Sequence, residues 1–432
     1  MSARHEVVVT GMGCVTPLGG DASTTWQGLR AGRSGVRPIE RFDASGFNTR
    51  FAGQIDSVPA LEGAWETARA RWDQADLLDR KTWLALVAAR EAWEQAGGVH
   101  GGAGAIDAPA HRIGLSIGSE GGRRLLGAMA QRAIDSRDVP LESLLASLPP
   151  GEWARLRASH PTRVLASELD IRGPTRTVCT ACTSSGGALA EALYLVRAGV
   201  VDVALAGGTD TLVEAFMVSG FSLLGALSEN NEAPAEASRP FDLTRDGFVL
   251  GEGAGMLVLE SEAHARARGA TILGRLRGAG LSNNAFRITD SPPDGEGPAI
   301  AMRAALRDAG VAAEDVGYVN AHGTSTQMND VSETRGIRRA LGPHADRIAV
   351  SSNKSMIGHL VAACGAVEAI TTLHSLRDSV LAPTLNLRTP DPECDLDYVP
   401  GVAREVSGGV GLALSNAFGF GGSNATLVLE AP

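Results

Sequence analysis

The sequence predicts an α/β protein, and three observations predict it. Helical and strand-like apolar segments alternate along almost the whole chain, an order that builds a sheet flanked by helices. The same succession of segments occurs twice, in the same order. Hydrophobic residues make up 44% of the chain and aromatics only 4%, with 53 glycines. That mix describes a large core of small aliphatic side chains with many tight turns and close backbone approaches.

The elements follow in order. HEVVVTGMG, from His5, reads as a strand running into a glycine turn. A dinucleotide-binding fingerprint fails there, because Thr16 stands where the third glycine belongs after Gly11 and Gly13. WLALVAAREAWEQAG, from Trp83, is a helix stopped by glycine, and HRIGLSIGS, from His111, is a strand. Residues 123–165 read as an irregular helical excursion with Pro149 and Pro150 in its middle. VDVALAGGTD, from Val201, is a buried strand, and GFVLGEGAGMLVLES, from Gly247, a bent pair of strands with a glycine kink.

The second half repeats these themes. IAMRAALRDAG echoes the Trp83 helix, VGYVNAHGTST follows it as a strand, and GFGGSNATLVLEA echoes LGEGAGMLVLES. The echoes divide the chain near residue 262 into two related halves, 1–262 and 263–432. The first carries a long insertion at about 120–165. No low-complexity linker separates the halves, so they are expected to fuse into one body.

The totals set limits. A chain of 432 residues has room for two or three domains or one large two-part body. A formal net charge of -10 argues against general nucleic-acid binding, which needs a basic face. The N-terminal apolar run is too short for a secretory signal, and no run of 18 apolar residues exists, so no membrane span is expected. Five scattered cysteines, an odd number, fit a reducing compartment. The expectation is a cytoplasmic protein.

Two of those cysteines, Cys179 and Cys182, stand as C-x-x-C in TVCTACTSSGGALAEALYLV. Leu189, Ala192, Leu193 and Val196 follow helical spacing, whereas TRTVCTA suits a strand. Cys182 therefore sits where a strand turns into a helix, and the helix dipole there favours a thiolate. Cys179 falls inside the strand as a small hydrophobe. In thioredoxin-type motifs both cysteines lie in the first helical turn; here the helix begins at or after the second. A zinc site needs four ligands, and Cys14, Cys364 and Cys394 stand alone. Two buried structural cysteines remain an alternative on this stretch by itself. Three further segments shift the balance. His322 ends an apolar strand, Lys354 and His359 lie in a glycine-rich turn before a helix, and Phe420 lies in a tight glycine loop. Loops at strand ends are where α/β proteins keep their chemistry.

With VVVTGMGCVTPLG, TACTSSGGAL, SRPFDLTRDGFVLGEGAGMLVLE, NAHGTSTQMND, NKSMIGHLVAACGAVEA and SNAFGFGGSN in this order, the chain resembles a β-ketoacyl synthase over nearly its whole length. KSMIGH places it with the elongating, Cys-His-His branch. The resemblance implies the thiolase fold, two related halves in a five-layered α-β-α-β-α body. It implies that Cys182 is the nucleophile taking the acyl chain as a thioester. His322 and His359 would hold the malonyl thioester carbonyl and stabilise the enolate left by carbon dioxide. Lys354 would pair with Glu333 and fix the histidines. The N–H groups of Cys182 and Phe420 would form the oxyanion hole, with Phe420 gating the acyl pocket. Thr324 and Thr326 would meet the phosphopantetheine arm, and Phe418 and Gly421 complete the substrate-binding set. Asn320, Glu368, Ser415 and Asn416 match positions that gather round a structural monovalent cation in some relatives.

The chemistry needs these residue types. Acyl transfer wants a soft thiolate of lowered pKa. Decarboxylation builds negative charge on a thioester oxygen, and two neutral imidazole N–H donors stabilise it without a metal. No cofactor is expected beyond the phosphopantetheine that arrives on the carrier. The partners implied are acyl carrier protein, met in trans, and a second copy or a chain-length-factor-like subunit. Arg69, Arg71, Arg80, Lys81, Arg123 and Arg124 are candidates for a basic carrier-docking patch. Residues 120–165, the QMND at 327–330 and Cys364 depart from the housekeeping fatty-acid pattern. They favour a type II polyketide or specialised fatty-acyl pathway over housekeeping elongation. A non-catalytic chain-length factor would lack the cysteine that this chain has. A C-x-x-C redox protein would show two linked thiols on alkylation instead of one hyper-reactive thiol.

Overall fold

The computed structural model describes residues 5–57, 60–74, 77–121, 143 and 150–432. Most of the expected insertion, with Arg123 and Arg124, lies outside the described residues. Its last part carries two short helices, Pro150–Arg155 and His160–Glu168.

The first half contributes β1 (Val7–Val15), β4 (Ile113–Ser119), β5 (Thr175–Val178), β6 (Val203–Thr211) and β7 (Glu252–Ser261). The second contributes β8 (Gly274–Asn283), β9 (Tyr318–Asn320), β10 (Ala349–Ser351), β13 (Leu412–Phe418) and β14 (Ser423–Glu430). Two small sheets pair β2 (Val36–Pro38) with β3 (Phe51–Gly53) and β11 (Val380–Leu381) with β12 (Arg404–Glu405). Outward from the centre, the strand order is β1-β7-β6-β4-β5 on one side and β8-β14-β13-β9-β10 on the other. The pairing directions match as well. In each half the two outer pairings are parallel and the two inner ones antiparallel. A short antiparallel contact, Val8 with Arg275 and Val9 with Gly274, joins β1 to β8.

The Ser184–Arg197 and Cys364–Asp378 helices pack on each other and on strands of both halves, forming the central layer. The Arg80–Gln95 helix covers the outer face of the first sheet. Glu296–Ala309, backed by Gln327–Leu341, covers that of the second. The result is an α/β body layered helix, sheet, helix, sheet, helix. Among the described residues, no helix is long and apolar enough to cross a membrane.

Two sequence expectations change. β1 does not stop at a glycine turn but runs through Gly11 and Gly13. A Cβ at Gly11 would lie 2.0 Å from the Ala92 carbonyl oxygen, and one at Gly13 2.2 Å from that of Ala88. These glycines let the Arg80–Gln95 helix press on the strand. Likewise, Gly247–Ser261 holds one named strand, β7, preceded by isolated bridges at Phe248, Leu250 and Gly251, instead of a pair of strands. β7 has antiparallel neighbours on both sides, and Gly255 makes room for the backbone of Val367.

Candidate active site

Cys182 lies in a 3-10 turn, Ala181–Thr183, between β5 and the Ser184–Arg197 helix. Ala181 adopts a left-handed φ of 51°, which turns the chain sharply and presents Cys182 at the helix N-terminus. The second half repeats this device. Val361, at φ 47°, opens the Val361–Ala363 turn that leads into the Cys364–Asp378 helix. Cys179 lies past the end of β5 and is exposed, not inside the strand, because β5 ends at Val178. Its thiol donates to Glu120 Oε1 at 3.4 Å.

His359 follows the short Lys354–Ile357 helix and Gly358, whose φ is 73°. Its Nε2 lies 3.0 Å from Cys182 Sγ. Its Nδ1 accepts the Val361 N–H at 3.2 Å. A ring nitrogen that accepts carries no proton, so the proton of the neutral ring sits on Nε2, facing the sulfur. His322 follows β9, and its ring meets that of His359 edge to face at 5.2 Å. The donor atoms of Cys182, His322 and His359 lie within 4.8 Å of one another. Burial, reinforced by the Lys354 charge, pushes both imidazoles well below their ordinary pKa, so they are neutral at pH 7.

The sulfur departs from expectation. Burial pushes the Cys182 thiol up to about 12, against the pull of Lys354 and of a hydrogen bond from the Phe420 N–H. Desolvation outweighs both, and the resting sulfur keeps its proton. The Phe420 N–H lies within hydrogen-bonding reach of the sulfur.

Lys354 does not pair with Glu333. Its ammonium contacts Glu368, and both side chains are 1% exposed. Burial opposes the lysine charge, and Glu368 more than offsets it. Glu333 instead accepts the backbone N–H groups of His322 and Gly323, each at 2.8 Å, and Asn416 Nδ2 at 3.1 Å. It holds the His322 backbone in place, and burial pushes its carboxyl up to about 7. Thr324 and Thr326 bond to each other through their hydroxyls at 2.9 Å.

A cavity of 670 Å³ is lined by Cys182, His322, His359, Thr324, Thr326, Phe418 and Phe420, among others. Gly421 does not line it. That glycine takes a φ of 85° in the turn and donates to the Ile288 carbonyl at 2.6 Å. Sequence reasoning missed Phe221 and Phe248. Phe248 meets His359 edge to face at 5.4 Å, and Phe221 links Phe248 to Phe420. It also missed Thr289, Asp290 and Ser291, which line the cavity from a segment with no motif of its own. Gln327, Met328 and Asn329, singled out as departures, line it too.

Of the four residues set round a cation, Asn320 Oδ1 and Glu368 Oε2 are buried with no hydrogen-bond partner. Asn416 Oδ1 is already taken by the Thr426 hydroxyl at 2.8 Å. Ser415 lies beside Asn320 in the β13–β9 register.

Among the described residues, the four nominated basic side chains each have a partner. Lys81 is buried and donates to the Glu120 carbonyl at 2.6 Å. Arg80 is bound to Glu252, Arg71 to Glu168, and Arg69 to Asp73.

Comparison with known proteins gives a consistent result. Residues 4–265 match the family model for the beta-ketoacyl synthase N-terminal domain, and residues 273–388 the one for the C-terminal domain. The chain is 41% identical over 428 residues to 3-oxoacyl-[acyl-carrier-protein] synthase 2 of Synechocystis sp., covering 99% of this chain and 98% of that one. It superposes with a TM-score of 0.86 and 34% identity on the ishigamide ketosynthase/chain length factor, over 100% of both chains. The TM-score is again 0.86, at 30% identity, for a type II polyketide ketosynthase solved with its acyl-carrier protein and bound to the hexaketide. That match covers 99% of this chain and 100% of the other.

Proposed function

Because the chain belongs to the beta-ketoacyl synthase family, we propose that it joins an acyl group held on Cys182 to a malonyl unit delivered by acyl carrier protein. The observation that carries this reading is the His359 Nε2–H facing Cys182 Sγ at 3.0 Å, beside a second neutral histidine.

The chemistry runs in two stages. Cys182 sulfur attacks the acyl carbonyl, its carbon–sulfur bond to the carrier breaks, and the proton lost from Cys182 leaves on the released carrier thiol. The malonyl thioester then enters, with its carbonyl oxygen toward His322 and His359. Its carbon–carboxylate bond breaks, carbon dioxide leaves, and the electron pair passes into the enolate. Two imidazole N–H donors stabilise that oxygen, each worth about 3–4 kcal/mol in a dry, pre-aimed site. The enolate carbon attacks the Cys182 thioester. The resulting oxyanion faces the N–H groups of Cys182 and Phe420, and collapse expels the sulfur as a thiolate, which takes a proton from water to regain its resting form. Lys354 supplies a buried positive charge that keeps both rings neutral and eases the loss of the sulfur's proton. Glu333 positions His322. Phe420, 36% exposed, stands as the gate.

His359→Ala should still acylate itself but lose decarboxylation, by at least ~100-fold on the scale of one oxyanion donor. Carbon dioxide released from malonyl carrier at the parent rate would refute the role given to His359.

For the pathway, a type II polyketide or specialised fatty-acyl role is supported by Gln327, Met328 and Asn329, departures that line the cavity. Identity of 41% to a 3-oxoacyl-[acyl-carrier-protein] synthase 2 favours the second reading, fatty-acid elongation. Competition between saturated and poly-β-keto acyl carriers separates the two. The division near residue 262 is supported by the repeated strand order. Two copies, or one with a related subunit, would pair along β5, which is half-exposed with one partner strand among the described residues. Asn320, Glu368 and Ser415 would hold a monovalent cation, its charge offsetting buried carboxylate. Two unpartnered buried oxygens support it. A cytoplasmic setting is supported by five free cysteines.

A further inference from the structure

We propose that Glu120 is the positioning residue of the nucleophile turn: its carboxylate braces the backbone that presents Cys182 and sets a carboxylate group beside that turn. This rests on Cys182 being the acylated nucleophile.

Ala181 is held left-handed, a conformation unfavourable for a residue with a Cβ unless its surroundings enforce it. Glu120 Oε1 supplies that enforcement. It accepts the Ala181 N–H at 2.9 Å, and the Cys179 thiol at 3.4 Å and the Ser184 hydroxyl at 3.3 Å point to the same oxygen. One oxygen thus grips the chain before, within and after the turn. Glu120 is itself fixed. It directly follows β4, the parallel neighbour of β5, and its carbonyl accepts the buried Lys81 ammonium at 2.6 Å. It is not among the residues lining the cavity, so it acts through the turn and not on substrate.

The other half of the molecule uses the same device. Left-handed Val361 opens the matching turn, and Asp210 Oδ2 accepts the Ala362 N–H at 3.2 Å. There the carboxylate holds the residue after the left-handed one, whereas Glu120 holds the left-handed Ala181 itself. The groups facing the sulfur are Lys354, which favours the thiolate, Glu120 and Asp210, which oppose it, and the neutral His322 and His359. The Cys364 thiol donates to the Cys182 carbonyl at 3.2 Å.

Two variants separate brace from charge. Glu120→Gln keeps an acceptor for the Ala181 N–H and removes the charge; Glu120→Ala removes both. The first readout is the pH dependence of Cys182 alkylation by iodoacetamide, followed on the 177–196 peptide. Both variants should react about 3–10-fold faster at pH 7.5, since one pKa unit is tenfold in thiolate. The second readout is acylation from an acyl carrier thioester. In Glu120→Ala its kcat should fall about tenfold with KM unchanged, the size expected for a misplaced nucleophile, and Glu120→Gln should restore it. A parent-like pH profile in both variants overturns the charge role. A parent-like kcat in Glu120→Ala overturns the brace. If the Ala variant fails to fold, the pH profile of Glu120→Gln still decides the charge role, and its parent-like kcat beside the lost fold upholds the brace. A parent protein that is never acylated at Cys182 refutes the condensation reading instead, and the alkylation profiles still report on Glu120.

Discussion

At the scale of the residue, the site is an electrostatic compromise centred on Lys354. Its ammonium is buried against Glu368, and its field reaches Cys182, His322 and His359. Removing one partner of such a pair leaves an uncompensated charge in the interior. Lys354→Met should therefore cost on the order of 3–5 kcal/mol, and adding Glu368→Gln should recover much of it. Urea unfolding of the two variants checks this. A single variant as stable as the parent would mean that the pair is not the buried contact described. The residue types of this centre were readable in the sequence, but the partners were not. Both Glu333 and Glu368 are acids downstream of a histidine motif, and nothing in their spacing says which one reaches the lysine. The Gln327–Leu341 helix aims Glu333 at the His322 backbone, whereas the Cys364–Asp378 helix aims Glu368 at Lys354.

At the scale of the element, glycine decides how closely layers approach. The Arg80–Gln95 helix lies on β1 because Gly11 and Gly13 carry no Cβ. Gly11→Ala would place a methyl group 2.0 Å from the Ala92 oxygen. It should cost about 1–3 kcal/mol or more, the range for overpacking a core. Gly220→Ala is the control. Nothing lies within 4 Å of its Cβ, and it sits inside the Ala215–Leu223 helix. Alanine there should gain up to about 1 kcal/mol in helix propensity. Thermal melts of both variants test the contrast, and equal melting temperatures would refute it. From sequence, the same glycines read as turns, because a turn and a close approach demand the same missing side chain.

At the scale of the whole molecule, repetition creates the site. Each half sends one central helix, preceded by a left-handed residue, into the middle layer. One of those turns presents Cys182, and the segment leading into the other carries His359. The first half's outer strand β5 is left with an open edge among the described residues, and exposed Cys179 lies just past it. Unpaired strand edges invite pairing. Light scattering should give twice the mass of one chain for a homodimer, and Cys179 should be alkylated more slowly as concentration rises. A single-chain mass at every concentration, with Cys179 equally reactive throughout, would exclude pairing of two copies along β5.

By itself the sequence determined the α/β class and the family motifs in which Cys182, His322, Lys354 and His359 stand. These rest on local periodicity and on glycine, histidine and cysteine at strand ends, which belong to the chain before it folds. Only the tertiary structure decided that Lys354 meets Glu368, that Glu120 holds the Cys182 turn and that Cys179 is exposed. It alone set the protonation of the sulfur and the two imidazoles. Those outcomes depend on which distant segments exclude water around a group, and burial and partner distance are properties of the assembled layers.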